Sequence, residues 1–220
     1  MGKSEIVQQW KPGLRELGFV YKNGVFEHLA TREKYLQFLI AIQRNSHSPS
    51  YKIGPTLVIR NPLLEPVKPE VLLSANLRPD GIYFHVARSS WWLDDALPEA
   101  WASLEKYAIP WFEKVGRVDY LVEVLEKAIR DKTGQINILE PIDESAHPAW
   151  IKNWLPEKPL EARGVGPMFF YQSAVLHYLN GNRAKAIERT KDWSNSLGPE
   201  NRNDRLRAAA QLDALKTASH

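Results

Sequence analysis

The sequence predicts an α+β protein in which a small antiparallel sheet, with helices packed on one face, is followed by a C-terminal helical subdomain. Three observations support this fold class. An Asn-Gly pair separates two short aromatic and β-branched runs, apolar and polar residues alternate in the runs that follow, and from Asp94 the apolar residues recur at helical spacing. The expected parts are an α+β domain over 1–134, a connecting segment containing Pro and Trp over 135–167, and the helical subdomain over 168–220.

The chain is expected to begin with a helix from about Ser4 to Leu17, which Ser4 can cap. Pro12 predicts either a kink or a later start, and Gly18 ends the helix. Asn23-Gly24 then favours a hairpin, because both turn positions need positive φ.

Three further strands are expected over 35–44, 56–60 and 82–88, and their spacing favours an antiparallel sheet with one buried face and one partly polar face. Residues 61–81 contain several prolines, so we expect a long connection with one short element in it.

The second half of the chain is predicted to be helical. A helix that Asp94 or Asp95 can cap tolerates Pro98 in its first turn, is broken or bent at Pro110 and stops at Gly116. A second helix is expected over 119–132. The segment 135–167 lacks periodicity, and its Trp residues suggest that it wraps the sheet domain with its aromatic side chains buried.

Three more helices are predicted at the C-terminal end, over 168–180, 183–197 and 201–216, with Gly181 and Gly198 between them. The first two have the small-residue packing of one tetratricopeptide-like unit. The sequence contains no second copy at that repeat's period of about 34 residues, which argues against a repeat protein.

Composition excludes several classes of function. The chain has no Cys, so a disulfide framework, a thiolate metal site and a Cys nucleophile are excluded. The start of the chain has no apolar run typical of a signal peptide, and no apolar stretch could span a bilayer. We therefore expect a cytoplasmic protein that does not associate with a membrane.

Residues 167–220 hold eight basic and five acidic side chains, which accounts for the net charge of +3. A nucleic-acid domain usually shows a denser basic stripe, so a solvated helical surface is favoured.

The segment from Leu14 to about Trp111 resembles an uncharacterised bacterial family, domain of unknown function 4304. The resemblance rests on short motifs in the same order: Leu14-Arg15-Glu16-Leu17-Gly18-Phe19, Val25-Phe26, Ile42-Gln43-Arg44, a late strand ending at Arg88, Trp91-Trp92 and Ile109-Pro110-Trp111-Phe112. It covers roughly the first 115–130 residues. The resemblance implies a compact α+β domain without an assigned activity and supplies no catalytic residues.

The candidate site is the polar face of the sheet. No His is paired with another His or a carboxylate at the spacing of a helical metal site, so we expect neither a metal nor a cofactor. Side chains on one sheet face could form the floor of a binding cleft, or they could be ordinary cross-strand surface pairs. Trp91-Trp92 could be a stacking platform or a protein anchor, or one ring could be buried beneath the next helix. The candidate ligand-binding residues are Gln43, Arg60, His85, Arg88, Trp91 and Trp92.

The leading functional hypothesis is a non-catalytic binding or protein-interaction module, immunity-like or regulatory. An ordered, aromatic-rich chain without a reactive constellation is typical of small bacterial immunity proteins. One alternative is an enzyme that uses a polar cleft around His85. The other is a weak nucleic-acid binder that uses basic residues of the C-terminal helices, namely Arg183, Arg189, Arg205 and Arg207. The sequence favours a protein partner over nucleic acid and leaves the oligomeric state open.

Overall fold

A computed structural model of the 220-residue chain describes residues 3–31, 34–44, 50–64, 69–74, 76–78, 81–83, 91–92, 97–132 and 165–217. The chain divides into two compact units. The sheet unit comprises Met1–Arg60 and Lys68–Gly116, and the helical unit comprises Asn61–Val67 and Arg117–His220. The predicted α+β class, with an antiparallel sheet and a C-terminal helical part, is confirmed.

The sheet unit combines an antiparallel sheet with three helices among the described residues. Its elements are α1 (Lys3–Glu16), β1 (Phe19–Lys22), β2 (Val25–His28), β3 (Leu36–Arg44), β4 (Ser50–Arg60), β5 (Pro69–Ser74), β6 (Asn76–Arg78), β7 (Gly81–Tyr83), β8 (Trp91–Trp92), α2 (Leu97–Ser103) and α3 (Ile109–Val115). The strand order is β1-β2-β3-β4-β5, with β8 also pairing with β4, while β6 and β7 form a separate two-stranded ribbon. A short 3₁₀ turn, Leu29–Thr31, follows β2.

The predicted hairpin is confirmed. β1 and β2 pair antiparallel, and the two residues between them have positive φ, 51° at Asn23 and 85° at Gly24. Both values lie in the left-handed region that a tight hairpin turn requires and that Asn and Gly adopt at low cost.

The core of the sheet unit lies on one face of β3. Cross-strand neighbours share a face, so the pairing of Ile40 with Phe26 on one side and with Pro55 on the other defines the inward row. Phe38, on the same face of β3, stacks on Phe112 of α3 with ring centroids 4.8 Å apart. On α1, the side chains of Ile6, Val7, Trp10 and Leu14 are buried, as expected for a helix that packs on this face.

Helix α1 begins at Lys3 and continues through Pro12, so the predicted later start is wrong. Gly13 lies where a neighbouring ring approaches the helix backbone. A Cβ placed there would lie 2.6 Å from the end of the Trp101 ring, and Trp101 also meets Trp10 edge-on. Only glycine leaves room for this contact.

Pro110 does not break the helix between α2 and α3. A π-helical turn, Leu104–Ala108, joins the two helices, and the backbone N–H of Ile109 donates to the carbonyl of Leu104. Proline has no backbone N–H and cannot donate the helical hydrogen bond expected at its position. The wider π-helical turn accommodates this missing bond without ending the helix.

The helical unit consists of four helices in the described part of the chain: α4 (Val118–Arg130), α5 (Pro167–Leu179), α6 (Arg183–Ser196) and α7 (Arg202–Thr217). The predicted bounds of the last three helices agree with the structure to within one residue. The sequence prediction assigned the helix over 119–132 to the first domain. In the structure this helix, α4, groups with the C-terminal helices. The predicted connecting segment 135–167 lies almost wholly outside the described residues.

Contacts along α5, α6 and α7 give the directions of these helices. Tyr171 near the start of α5 meets Trp193 near the end of α6, with ring centroids 4.7 Å apart. At the other end of α6, Arg183 donates from Nη2 to the carbonyl of Lys216 near the end of α7 at 2.7 Å. Each helix therefore runs antiparallel to the next one, and α5 and α7 begin at the same end of the unit. None of the helices in the described ranges combines the length and apolarity needed to cross a bilayer.

Candidate functional site

Two of the six residues predicted from the sequence lie at opposite ends of the β3–β4 pair. Gln43 is exposed and pairs with Lys52 near the start of β4, whereas Arg60 is the last residue of that strand. At about 3.3 Å per residue, the eight steps along the strand from Lys52 to Arg60 span roughly 26 Å. The structure therefore does not bring Gln43 and Arg60 together in one cleft.

The other predicted residues are placed only in part. Trp91 and Trp92 form β8, whose backbone pairs with Tyr51 and Ser50 at the Gln43 end of the sheet. His85 and Arg88 lie outside the described residues. At the other end, the Nε atom of Arg60 is buried and has no hydrogen-bond partner within the described ranges. A cleft centred on His85 consequently stays a prediction.

The described polar groups converge most densely on Glu126 of α4. The hydroxyl of Ser173 donates to its Oε1 atom at 2.7 Å, and the Nε2 atom of His177 lies 3.0 Å from the same oxygen. Arg189 of α6 donates from Nε to Oε1 at 2.8 Å and from Nη2 to Oε2 at 2.5 Å. Arg189 also donates from Nη1 to Asp192 at 2.7 Å. The carboxylate of α4 thus binds side chains from α5 and α6, and we call Glu126, Ser173, His177 and Arg189 the Glu126 cluster.

Electrostatics hold Glu126 and Arg189 in their charged forms. Burial by itself raises the pKa of Glu126, but hydrogen bonds from Arg189, His177 and Ser173 outweigh it and hold the pKa well below its usual range. The hydrogen bond to Glu126 in turn raises the pKa of Arg189 above its ordinary value, although burial opposes this. The cluster contains a neutralised pair rather than a free buried charge.

The cluster contains Ser, His and Glu, but it does not have the order of a catalytic triad. In a triad the serine bonds to the histidine and the histidine bonds to the carboxylate. Here Ser173 and His177 both bond to the same oxygen of Glu126. Ser173 is fully buried, so its hydroxyl is not presented to a substrate. The arrangement suits the joining of helices rather than attack on a carbonyl.

The geometry also selects one tautomer of His177. Its Nε2 atom faces Glu126, while its Nδ1 atom is buried without a hydrogen-bond partner in the described part of the chain. A proton on Nδ1 would be a buried donor without an acceptor, which is costly. The tautomer with the proton on Nε2, which donates to Glu126, avoids that cost.

A second network of buried side-chain hydrogen bonds holds α7 and the segment after β4 within the helical unit. Gln211 is fully buried and donates to the hydroxyl of Thr190 at 2.8 Å. Its carbonyl oxygen accepts a bond of 2.7 Å from Asn61, and Asn61 accepts in turn from the backbone N–H of Leu63. The Thr190 hydroxyl donates onward to the carbonyl of Ala186. Each side chain of this network has a hydrogen-bond partner, which is the condition under which buried polar groups stabilise a fold.

Internal contacts use three of the four arginines proposed for nucleic-acid binding. Arg183 binds the carbonyl oxygens of Leu215 and Lys216, and Arg189 binds Glu126. Arg207 lies over the rings of Tyr171 and Trp193 and pairs with Asp204. Arg205 is the exposed member of the four. Arginines committed to carboxylates and helix ends are poorly placed to neutralise phosphates, so the geometry does not favour this alternative.

The helical unit exposes apolar surface on the side of α7 that faces away from α6. Leu206 is 62% exposed, and Ala209 and Ala210 beside it are exposed as well. Met168, 45% exposed, lies at the start of α5, at the same end of the unit as Leu206. We use the term α7 outer face for five exposed residues of this helix: Arg202, Leu206, Ala209, Ala210 and Asp213.

No protein-family model, curated protein or solved structure matches the chain. The resemblance to domain of unknown function 4304 therefore stays a prediction. Among the described residues, no group of three or more His, Asp or Glu side chains could hold a metal ion.

The Glu126 cluster was not predicted, although the sequence contains one signal for it. Residues 167–179 are predominantly apolar on all sides of the helix, which is typical of a buried helix, so Ser173 and His177, one helical turn apart, are polar groups on a stretch expected to be buried. Buried polar groups need partners. The sequence does not show which carboxylate supplies them, because Glu126 precedes Ser173 by 47 residues.

Proposed function

We propose that the protein is a non-catalytic protein-interaction module, immunity-like or regulatory in its cell, and that the α7 outer face is its contact surface. The observation that carries the proposal is the 62% exposure of Leu206 on a helix that is otherwise fixed by buried contacts. A single exposed leucine is common on protein surfaces. Here it is joined by two exposed alanines on one helix face, and by Met168 at the same end of the unit.

The anchoring of α7 supports a binding role for its outer face. On its inner side, Ala208, Gln211 and Leu215 are fully buried, and Gln211 is hydrogen-bonded at both ends of its amide. Arg183 also binds the carbonyl oxygens near the end of the helix. A surface held rigid in this way loses little conformational freedom when a partner binds, which favours affinity.

The charges beside Leu206 give the surface a polar rim. Arg202 and Arg205 are exposed on the same helix and flank the apolar residues. Protein interfaces commonly consist of an apolar centre surrounded by polar residues, with arginine enriched among the contacts. The α7 outer face has this composition on a small scale.

Site-specific crosslinking tests the proposal. A photoreactive amino acid replaces Leu206 in the full-length chain expressed in its native host, and a matched chain carries it at Leu29, which is 51% exposed in the sheet unit. We expect a discrete, stoichiometric crosslinked product from position 206 and not from position 29. Diffuse products of equal yield at both positions would contradict the proposal.

A further inference from the structure

The α7 outer face has the residue spacing of a helix that pairs with another helix. Arg202, Leu206, Ala209 and Asp213 follow one another at intervals of four, three and four residues, which places them in one stripe along the helix. All four are exposed, whereas Ala208, on the opposite side, is fully buried. The stripe therefore presents a single continuous face to the solvent.

The two charges of this stripe lie towards opposite ends of the helix. Arg202 is the first residue of α7, at the positive end of the helix dipole, where its charge is disfavoured. Asp213 lies four residues before the last residue of the helix, Thr217. Asp213 does approach Lys216 at 3.7 Å, but their side chains are 78% and 63% exposed, so this pair contributes little. A second helix that brings the opposite charge to each end would stabilise the charge of Arg202 and give Asp213 a partner.

We infer that the occupant of this face is a second copy of the chain, bound by antiparallel pairing of two α7 helices. In a two-fold dimer the same surface of both copies meets. When Arg202 faces the partner's Asp213, Leu206 faces the partner's Ala209, and the symmetry repeats both contacts at the other end. The small side chains of Ala209 and Ala210 leave space for Leu206 and allow the helix axes to approach to about 8 Å.

Charge selects this arrangement over the parallel one. In a parallel pair, Arg202 would face the partner's Arg202 and Asp213 the partner's Asp213, so both ends would repel. In the antiparallel pair, both ends attract. The charge pattern of the stripe is thus complementary to itself, which identifies a second copy as the partner it fits.

The contact is small, because each copy contributes one leucine and two alanines as its apolar centre. Stable dimers usually bury at least about 1,200 Å² in total. We therefore expect reversible association with a Kd below about 1 mM but well above those of permanent dimers. This inference rests on the proposed function, because it assigns the partner of the same surface.

Complementary charge reversal provides the test. Arg202→Asp and Asp213→Arg are made in separate full-length chains, and sedimentation is measured for each chain alone and for the two mixed. Each variant alone would place like charges together at both ends, so we expect its dimer to weaken at least tenfold. In the mixture, every contact between the two different chains is again attractive, so a heterodimer should form with the wild-type affinity. Lys191→Glu, a charge change at an exposed position of α6 outside the α7 outer face, is the control and should leave the dimer intact.

The absence of Cys from the chain allows a second readout. Under mild oxidation, a mixture of Leu206→Cys and Ala209→Cys chains should form more mixed disulfide than either chain forms with itself. A wild-type chain that stays monomeric at about 1 mM would overturn the inference. So would charge variants that dimerise as well alone as when mixed. In either case, crosslinking from position 206 to a different protein would still support the proposed function, so the two failures can be told apart.

Discussion

Glu126 and Arg189 form a two-point ion pair that joins α4 to α6, with Nε donating to Oε1 at 2.8 Å and Nη2 donating to Oε2 at 2.5 Å. Both side chains are largely buried, with 21% and 13% of their side-chain surface exposed. This pair is one of the contacts that hold the helix over 118–130 against the C-terminal helices. Two bonds between the guanidinium and the carboxylate restrict the relative orientation of the two side chains.

Removing the charge of Glu126 should destabilise the helical unit. Glu126→Gln leaves Arg189 partly buried without its main partner, and we expect a loss of about 3 kcal/mol in the free energy of unfolding. Urea denaturation followed by circular dichroism measures the loss. Glu123→Gln changes an exposed residue of the same helix and is the control. Equal stability of the two variants would show that the ion pair contributes nothing.

Stability should fall in acid because of the same carboxylate. The pKa of Glu126 is lowered in the folded state, so its contribution is complete above the unfolded-state pKa of about 4.3 and declines as the pH falls towards the folded-state pKa. Between pH 6 and pH 3, the wild-type chain should therefore lose more stability than Glu126→Gln does. Parallel curves of unfolding free energy against pH for the two chains would contradict this assignment.

Breaking the hydrogen bonds between Asn61, Gln211 and Thr190 should also lower the free energy of unfolding. Gln211→Met keeps a similar volume but leaves the Asn61 amide without its acceptor, and we expect a loss of about 2 kcal/mol. The matched control is Gln8→Met, at an exposed position of α1. The measurement is again the free energy of unfolding, and a loss no larger than that of the control would show that Asn61 finds another partner.

Gly13→Ala should have opposite effects on stability in the wild-type chain and in a Trp101→Leu variant. An interior helical Gly→Ala change usually stabilises by up to about 1 kcal/mol, but the new Cβ would lie 2.6 Å from the Trp101 ring. We expect Gly13→Ala to destabilise the sheet unit by about 1–3 kcal/mol instead. In a Trp101→Leu background the clash is gone, so the same change should become stabilising. The same sign in both backgrounds would show that the ring is not the cause.

Much of the fold could be predicted because its signals are local. Gly181 ends α5, and Asn182 caps α6 by accepting from the backbone N–H of Lys185, so the helical bounds follow from nearby residues. The hairpin at Asn23-Gly24 is equally local. The Glu126 cluster is not, since its members lie 47 to 63 residues from Glu126 along the chain. No short-range pattern contains that information.

The start of β4 could not be predicted from local sequence signals. The predicted strand begins at Thr56, whereas β4 begins at Ser50 and includes Gly54-Pro55, a pair that is unfavourable inside a strand. The N–H of Arg60 donates to Tyr35, on the side of β3. Backbone N–H directions alternate along a strand, so the position that proline leaves empty at residue 55 faces the opposite edge. Pairing with β5 reaches only Thr56 there, so Pro55 breaks no described bond.

The binding role of α7 is tested most directly by the affinity of the full-length chain for the partner crosslinked at position 206. Calorimetric titration of the wild type, Leu206→Glu and the control Leu29→Glu compares one buried charge at the proposed interface with one placed elsewhere. We expect Leu206→Glu to raise the Kd at least about tenfold and Leu29→Glu to leave it unchanged. If all three chains bound with the same Kd, the α7 outer face would not be the contact surface.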